Sequence, residues 1–116
     1  MVHDIDGQSR FPGSSDLRMT ISKDTVRCEV RLRGTLDVTT SHHLRATLDE
    51  LIRAGYPEVV LDFAELDFIA AAGLEVLIHF HNALQTAGGG LTLTNLPRIV
   101  ERVLVITELD KKLTVE

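Results

Sequence analysis

Apolar and polar residues alternate with a period of two through "VRCEVRLR". Val26, Cys28, Val30 and Leu32 fall on one side, and Arg27, Glu29, Arg31 and Arg33 on the other. That pattern predicts a strand with one buried and one wet face. Leu17, Met19 and Ile21 repeat the spacing in "LRMTI", so a hairpin across "SKDT" is expected. Next, "TTSHHLRATLDELIRAG" puts Leu44, Leu48, Leu51 and Ile52 on one helical stripe, with Thr39 to Ser41 offering a cap and Gly55 a stop before Pro57. "VVLDF" is a short continuous apolar run of the kind found in strands buried on both faces. A second helix follows, striped by Leu74, Leu77, Ile78, His81 and Leu84 and ended by the glycines at 88 to 90. "LTLTN" returns as a strand, Pro97 suits the first turn of a third helix carrying Val100, Val103 and Leu104, and "KLTVE" closes as an edge strand. Strands alternating with helices imply right-handed crossovers. The predicted fold is a single small α/β domain: a mixed sheet, parallel at its core with an antiparallel hairpin at its start, and helices mainly on one face.

One junction breaks the usual chemistry. In "DFIAAAGLE", between Asp67 and Glu75, three alanines lead into the second helix. The first N–H groups of a helix have no partner within it and are usually met by Ser, Thr, Asp or Asn, none of which is offered here.

Composition narrows the class. A chain of 116 residues suits one domain. Residues 1–16 are rich in Gly, Ser and Asp, which predicts a flexible N-terminal arm, with the folded domain at 17–116. Seventeen acidic against twelve basic residues give a formal charge of -5, and there is neither Trp nor a Lys/Arg-rich tract, so nucleic-acid binding is not expected. The lone Cys28, the absence of a secretory signal pattern and the lack of any membrane-length apolar run lead to the expectation of a cytoplasmic protein with no membrane insertion.

Little supports catalysis. His79 and His81 are two apart, about 200° around a helix, whereas metal-binding pairs on one helix need spacing of three or four. His42 and His43 are adjacent and face the same difficulty; all four read as solvated or partner-facing. Cys28 lies on the inward side of its strand and reads as an inert thiol. "AGGG" ends a helix and lacks the Lys and Ser/Thr of a phosphate-binding loop. No nucleophile, base and orienting group converge, so no enzyme, metal or cofactor is expected.

The stretch "VVLDFAELDFIAAAGLEVLIHFHNAL" resembles the signature of STAS domains, the family of sulphate transporters and anti-sigma factor antagonists. In the bacterial antagonists a strand ending in Asp leads to Phe-Ile-Asp-Ser-(Ser or Thr)-Gly-Leu, whose Ser is phosphorylated by a partner kinase. Asp62, Phe68, Ile69, Gly73 and Leu74 match that pattern. "GTLDVTTSHHLRATLDELI" is similar to the family's first turn and helix, and "NLPRIVERVLVITELDKKLTV" to its last helix and tail, so the resemblance spans about Leu17 to Val115.

The departure lies at the alanines. Ala70 stands where the family has Asp, Ala71 where it has the phosphorylated Ser, and Ala72 where it has Ser or Thr. The resemblance implies a protein-binding regulator that engages an anti-sigma factor of the ATPase-like kinase type to free a sigma factor, here without the switch hydroxyl. The implied partner surface comprises Asp37, the loop from Asp67 through Ala70, Ala71 and Ala72 to Gly73, and Glu75. Three alternatives stay open on the residues alone. Asp37 serves equally as a helix cap. The alanines also suit plain helix formation and packing. Glu65 and Asp67 are either stand-ins for a regulatory anion or solvated carboxylates. A different class of role, a scaffold subunit of a stress-signalling assembly or a soluble component of a transport system, is compatible with the same family.

Overall fold

The computed structural model describes residues 2–6 and 16–116, the first of these segments as backbone alone. Six strands form one sheet in the order of the chain: β1 (Val2–Asp6), β2 (Leu17–Lys23), β3 (Arg27–Leu36), β4 (Glu58–Ile69), β5 (Gly90–Thr94) and β6 (Thr114–Val115). β1, β2 and β3 pair antiparallel; β3, β4, β5 and β6 pair parallel. Each parallel crossover carries a helix: α1 (Val38–Arg53), α2 (Ala71–Thr86) and α3 (Arg98–Ile106), the last followed by a short helical turn at Leu109–Lys111. Successive crossovers that step one strand in the same direction with the same hand put their helices on the same face.

The burial pattern agrees with that geometry. Met19 and Ile21, Cys28 and Val30, Val59 and Leu61, and Leu91 and Leu93 form one apolar layer across four strands, joined in the core by Leu48, Leu77, Phe80, Val100 and Leu104 from the helices. The opposite sheet face carries Arg31, Arg33, Thr92 and Thr94. The mixed α/β architecture is therefore the one expected.

Several details differ from the sequence pattern. Val26, placed on the buried side by alternation, is 57% exposed, because β3 begins one residue later and Val26 belongs to the turn. Val2–Asp6, within the stretch expected to be a flexible arm, pairs antiparallel along β2, supplying partners to backbone groups that a free edge would leave unmet. Asp67 lies in β4, not in a loop: β3 is ten residues long and keeps offering partners, so β4 runs twelve residues to Ile69 with register shifts near Arg31/Arg33 and Gly34/Thr35. Gly34 makes one of these irregularities feasible. At φ 111° a Cβ there would sit 2.3 Å from the Asp16 carbonyl oxygen, which accepts a hydrogen bond from Thr35 N–H at 2.9 Å. His81 is buried, as its place on the apolar stripe of α2 predicts and against its grouping with the solvated or partner-facing histidines, and its Nδ1 has no hydrogen-bond partner.

Candidate functional site

The parallel pair β3–β4 decides where the two helix starts meet. Thr35 is in register with Phe68 and Leu36 with Ile69, so the chain leaves both strands at the same edge of the sheet. The Ala70 N–H donates to the Leu36 carbonyl at 2.8 Å, which ties the start of α2 to the strand that feeds α1. Asp37 and the alanines, 33 residues apart by number, are thereby neighbours in the fold.

The two starts are built differently. At α1, Asp37 and not Thr39–Ser41 is the cap: its Oδ1 accepts from Thr40 N–H at 2.9 Å while Thr40 Oγ1 accepts from Asp37 N–H at 2.9 Å, a reciprocal capping box. Thr40 Oγ1 also donates to the Thr35 carbonyl at 2.7 Å, locking the turn onto the end of β3. An extended Asp37 followed at once by helix leaves the Thr39 side chain too far along to serve. At α2, Ala70 is the N-cap residue with extended backbone, φ -98° and ψ 173°, and no side chain caps the helix. Its carbonyl accepts from Gly73 and Leu74 at 3.0 and 3.2 Å, so the first turn tightens in place of a side-chain cap.

Gly73 fixes how closely this turn approaches the sheet. A Cβ there would lie 2.8 Å from Leu36 Cγ and 2.9 Å from Ile69 Cγ1, so the helix can seat on both strand ends only with glycine. Gly73 is buried beneath the surface, whereas Ala71 is exposed and Ala70 and Ala72 are half-buried. Between the helix starts runs a groove of about 430 Å³ lined by Val38, Ser41, His42, Arg45, Ala72, Glu75 and Val76. Glu75 and Asp67 are exposed; Glu65 is drawn aside toward Arg33, Oε2 to Nε 3.8 Å.

Two exposed apolar side chains lie at this end: Val38, 66% exposed in the first turn of α1 and not expected there from sequence, and Phe68, 45% exposed near the end of β4 and within the stretch expected to meet a partner. Val38 carries no signal in the sequence, because a lone valine at a helix start has no period. His42 and Arg45 also reach the groove, and only the pairing of α1 with α2 shows it.

Asp62 lies elsewhere. It is 7% exposed, and its Oδ1 accepts from Ala64 N–H at 2.9 Å and Asn95 Nδ2 at 3.1 Å, while Oδ2 lies 3.6 Å from Arg31 Nε. That set of partners ties β4 to the end of β5 and makes Asp62 a structural anchor. Burial pushes the Cys28 thiol above its ordinary range, which keeps it protonated and unreactive. Among the described residues no three His, Cys, Asp or Glu side chains are arranged to hold a metal, and no helix is long and apolar enough to cross a membrane.

The sequence model of the STAS domain matches residues 17–116. The anti-sigma F factor antagonist of Paenibacillus polymyxa is 32% identical over 83 residues, covering 71% of each chain. Among solved structures, the anti-sigma factor antagonist SpoIIAA in its unphosphorylated form superposes with a TM-score of 0.73 at 21% identity, covering 84% of this chain and 87% of that one. An anti-sigma factor antagonist from Mycobacterium paratuberculosis gives 0.72 at 19% identity, covering 85% and 84%. These structural likenesses establish the fold.

Proposed function

The chain belongs to the STAS domain family, and from that premise we propose that it acts as an anti-sigma factor antagonist whose docking surface lacks the phosphoacceptor. The reading assigns it a partner, an anti-sigma factor of the ATPase-like kinase type, whose capture frees a sigma factor. The surface proposed for that contact is the shared edge of α1 and α2: Asp37, Asp67, Ala70, Ala71, Ala72 and Glu75, with Gly73 beneath them holding the turn against the sheet. Exposed Val38 and Phe68 add apolar area on which a partner can close.

One observation carries the reading. The position at which a switch hydroxyl is expected, Ala71, is exposed next to Ala72, which lines the groove, and bears only a methyl group. In a phosphorylatable relative, a phosphate of about -1.5 to -2 charge at this point would repel or misplace the docked partner. Alanine accepts no phosphate, so binding here proceeds without that control, and the protein performs no chemistry of its own.

Affinity capture from native cell extract, with mass spectrometry of the retained proteins, tests the assignment. An ATPase-like kinase is expected, and Ala71→Glu should weaken its binding by about thirtyfold or more, the usual consequence of an unpaired charge buried in an interface. The pair Ala70→Asp with Ala71→Ser should make the protein a substrate for that kinase and its binding reversible by ATP. Recovery of a multi-subunit scaffold or a transporter in place of the kinase would reject the antagonist reading, as would a folded Ala71→Glu variant that binds as tightly as the parent.

A further inference from the structure

The third helix has one more apolar face than the fold uses. Val100 and Leu104 turn into the core, as a helix packed on a sheet requires, and Val103 is half-buried beside them. Yet Ile99, Val105 and Ile106 are 49%, 54% and 77% exposed. Large aliphatic side chains held in water within two turns of one short helix mark a surface made to be covered.

The shape and charge of this surface are specific. Arg98, Ile99, Arg102, Val103 and Ile106 line a cleft of about 450 Å³, and a second, of about 230 Å³ and lined also by Glu101 and Val105, adjoins it through Arg102 and Ile106. Neither Arg98 nor Arg102 forms an ion pair among the described residues. Two uncommitted guanidinium groups therefore border an apolar floor in a protein of formal charge -5. The groove between α1 and α2 contains no residue of α3, so this is a separate surface.

We propose that the α3 face is a second docking site, which receives an acidic amphipathic helix from a partner protein, its apolar side chains seated over Ile99 and Ile106 and its carboxylates paired with Arg98 and Arg102. Ridges of an incoming helix fit clefts formed between side chains of a facing one. Arginine favours planar carboxylates, which it engages through two donors at once. A second copy of this chain fits poorly: a two-fold pairing centred on the cleft of about 450 Å³ brings Arg98 and Arg102 against their own counterparts, and no acid lines that cleft, Glu101 lying in the smaller one. A bilayer surface also fits poorly, because two arginines must overcome the net negative charge of the chain, and clefts that accept single side chains offer little to a flat interface. The protein thus has two contact faces, one at the helix starts and one on α3, and can bridge two partners.

The test uses the full chain, isotope-labelled for NMR, and two synthetic helical peptides with the same leucine face, one flanked by glutamates and the other by lysines. The glutamate peptide should shift the amides of residues 98–106 and leave those of 38–45 and 71–76 in place. The lysine peptide should bind at least about tenfold more weakly. Arg98→Glu combined with Arg102→Glu should invert that preference, and Ile106→Ala should weaken both peptides by about tenfold, since burial of that side chain is lost. These side chains are exposed, so unfolding temperatures should not fall, which separates loss of binding from loss of fold. Failure of the glutamate peptide to bind, equal affinity for both peptides, or shifts centred elsewhere would overturn the proposal. So would a dimer in sedimentation that Ile106→Glu dissolves, or binding to phosphatidylglycerol vesicles through this face in preference to the peptide.

Discussion

The uncapped start of α2 makes a quantitative prediction. Ala70 occupies the N-cap position with the extended backbone of a capping residue and supplies no acceptor. Ala70→Asp adds a carboxylate within reach of the free N–H groups that follow. By itself a cap hydrogen bond contributes about 0.5–2 kcal/mol. The favourable position of an anion at a helix start adds about 0.3–1 kcal/mol, and partial exposure puts that increment toward its lower end. The combined gain is about 1–2 kcal/mol, which in a domain of this size raises the unfolding midpoint by roughly 4–8 °C. Its pH dependence follows from linkage. A carboxylate favoured by the helix start has a folded pKa depressed below its unfolded value of about 3.9, so the gain is full above that value and is lost as pH falls through the lower folded one. Ala70→Asn retains the acceptor without the charge; it should keep the hydrogen-bond part of the gain at all pH values and escape repulsion by nearby Asp67. The reciprocal control is Asp37→Ala, which removes one half of the α1 capping box and should cost about 1 kcal/mol. Urea and thermal unfolding followed by circular dichroism measure all three. If neither Ala70→Asp nor Ala70→Asn stabilises the protein at neutral pH while Asp37→Ala destabilises it, the assignment of Ala70 as the cap is refuted.

Three further outcomes follow from the packing. Gly73→Ala should destabilise the domain by up to about 2 kcal/mol in urea unfolding, because overpacking against Leu36 and Ile69 at about 1–3 kcal/mol opposes the roughly 1 kcal/mol gain in helix propensity; a stabilised variant would contradict the close approach of α2 to the sheet. Cys28 should resist thiol reagents at neutral pH until the protein unfolds. Its raised folded pKa means that its contribution is complete below the unfolded thiol value and declines as pH rises above it, a decline that Cys28→Ala should abolish. His81→Leu removes a buried ring nitrogen that has no partner and should leave stability unchanged or raise it by about 1 kcal/mol; a large loss would reveal a polar role for the ring.

Sequence by itself determined what depends on period and on local chemistry. The alternation of Cys28, Val30 and Leu32, the continuous run from Val59 to Phe63 and the stripe Leu44, Leu48 and Leu51 each name an element and its buried side, because a strand repeats every two residues and a helix every 3.6. The motif around Gly73 carried the family, and the alanines within it were visible as a departure. Tertiary structure decided what depends on residues far apart in the chain. Which oxygen caps α1 turned on where β3 ends, so Asp37 served and Thr39 did not. Whether Asp67 lay in a loop turned on whether β3 still had partners to offer. The exposure of Val26 was set by where β3 begins, which no local pattern records. The same reason placed Val38, Phe68, His42 and Arg45 around the helix starts, and left Ile99 and Ile106 in water. A hydrophobic pattern shows that a side chain is fit to be covered, but only the packing of distant segments determines which side chains the fold itself covers and which it leaves for a partner.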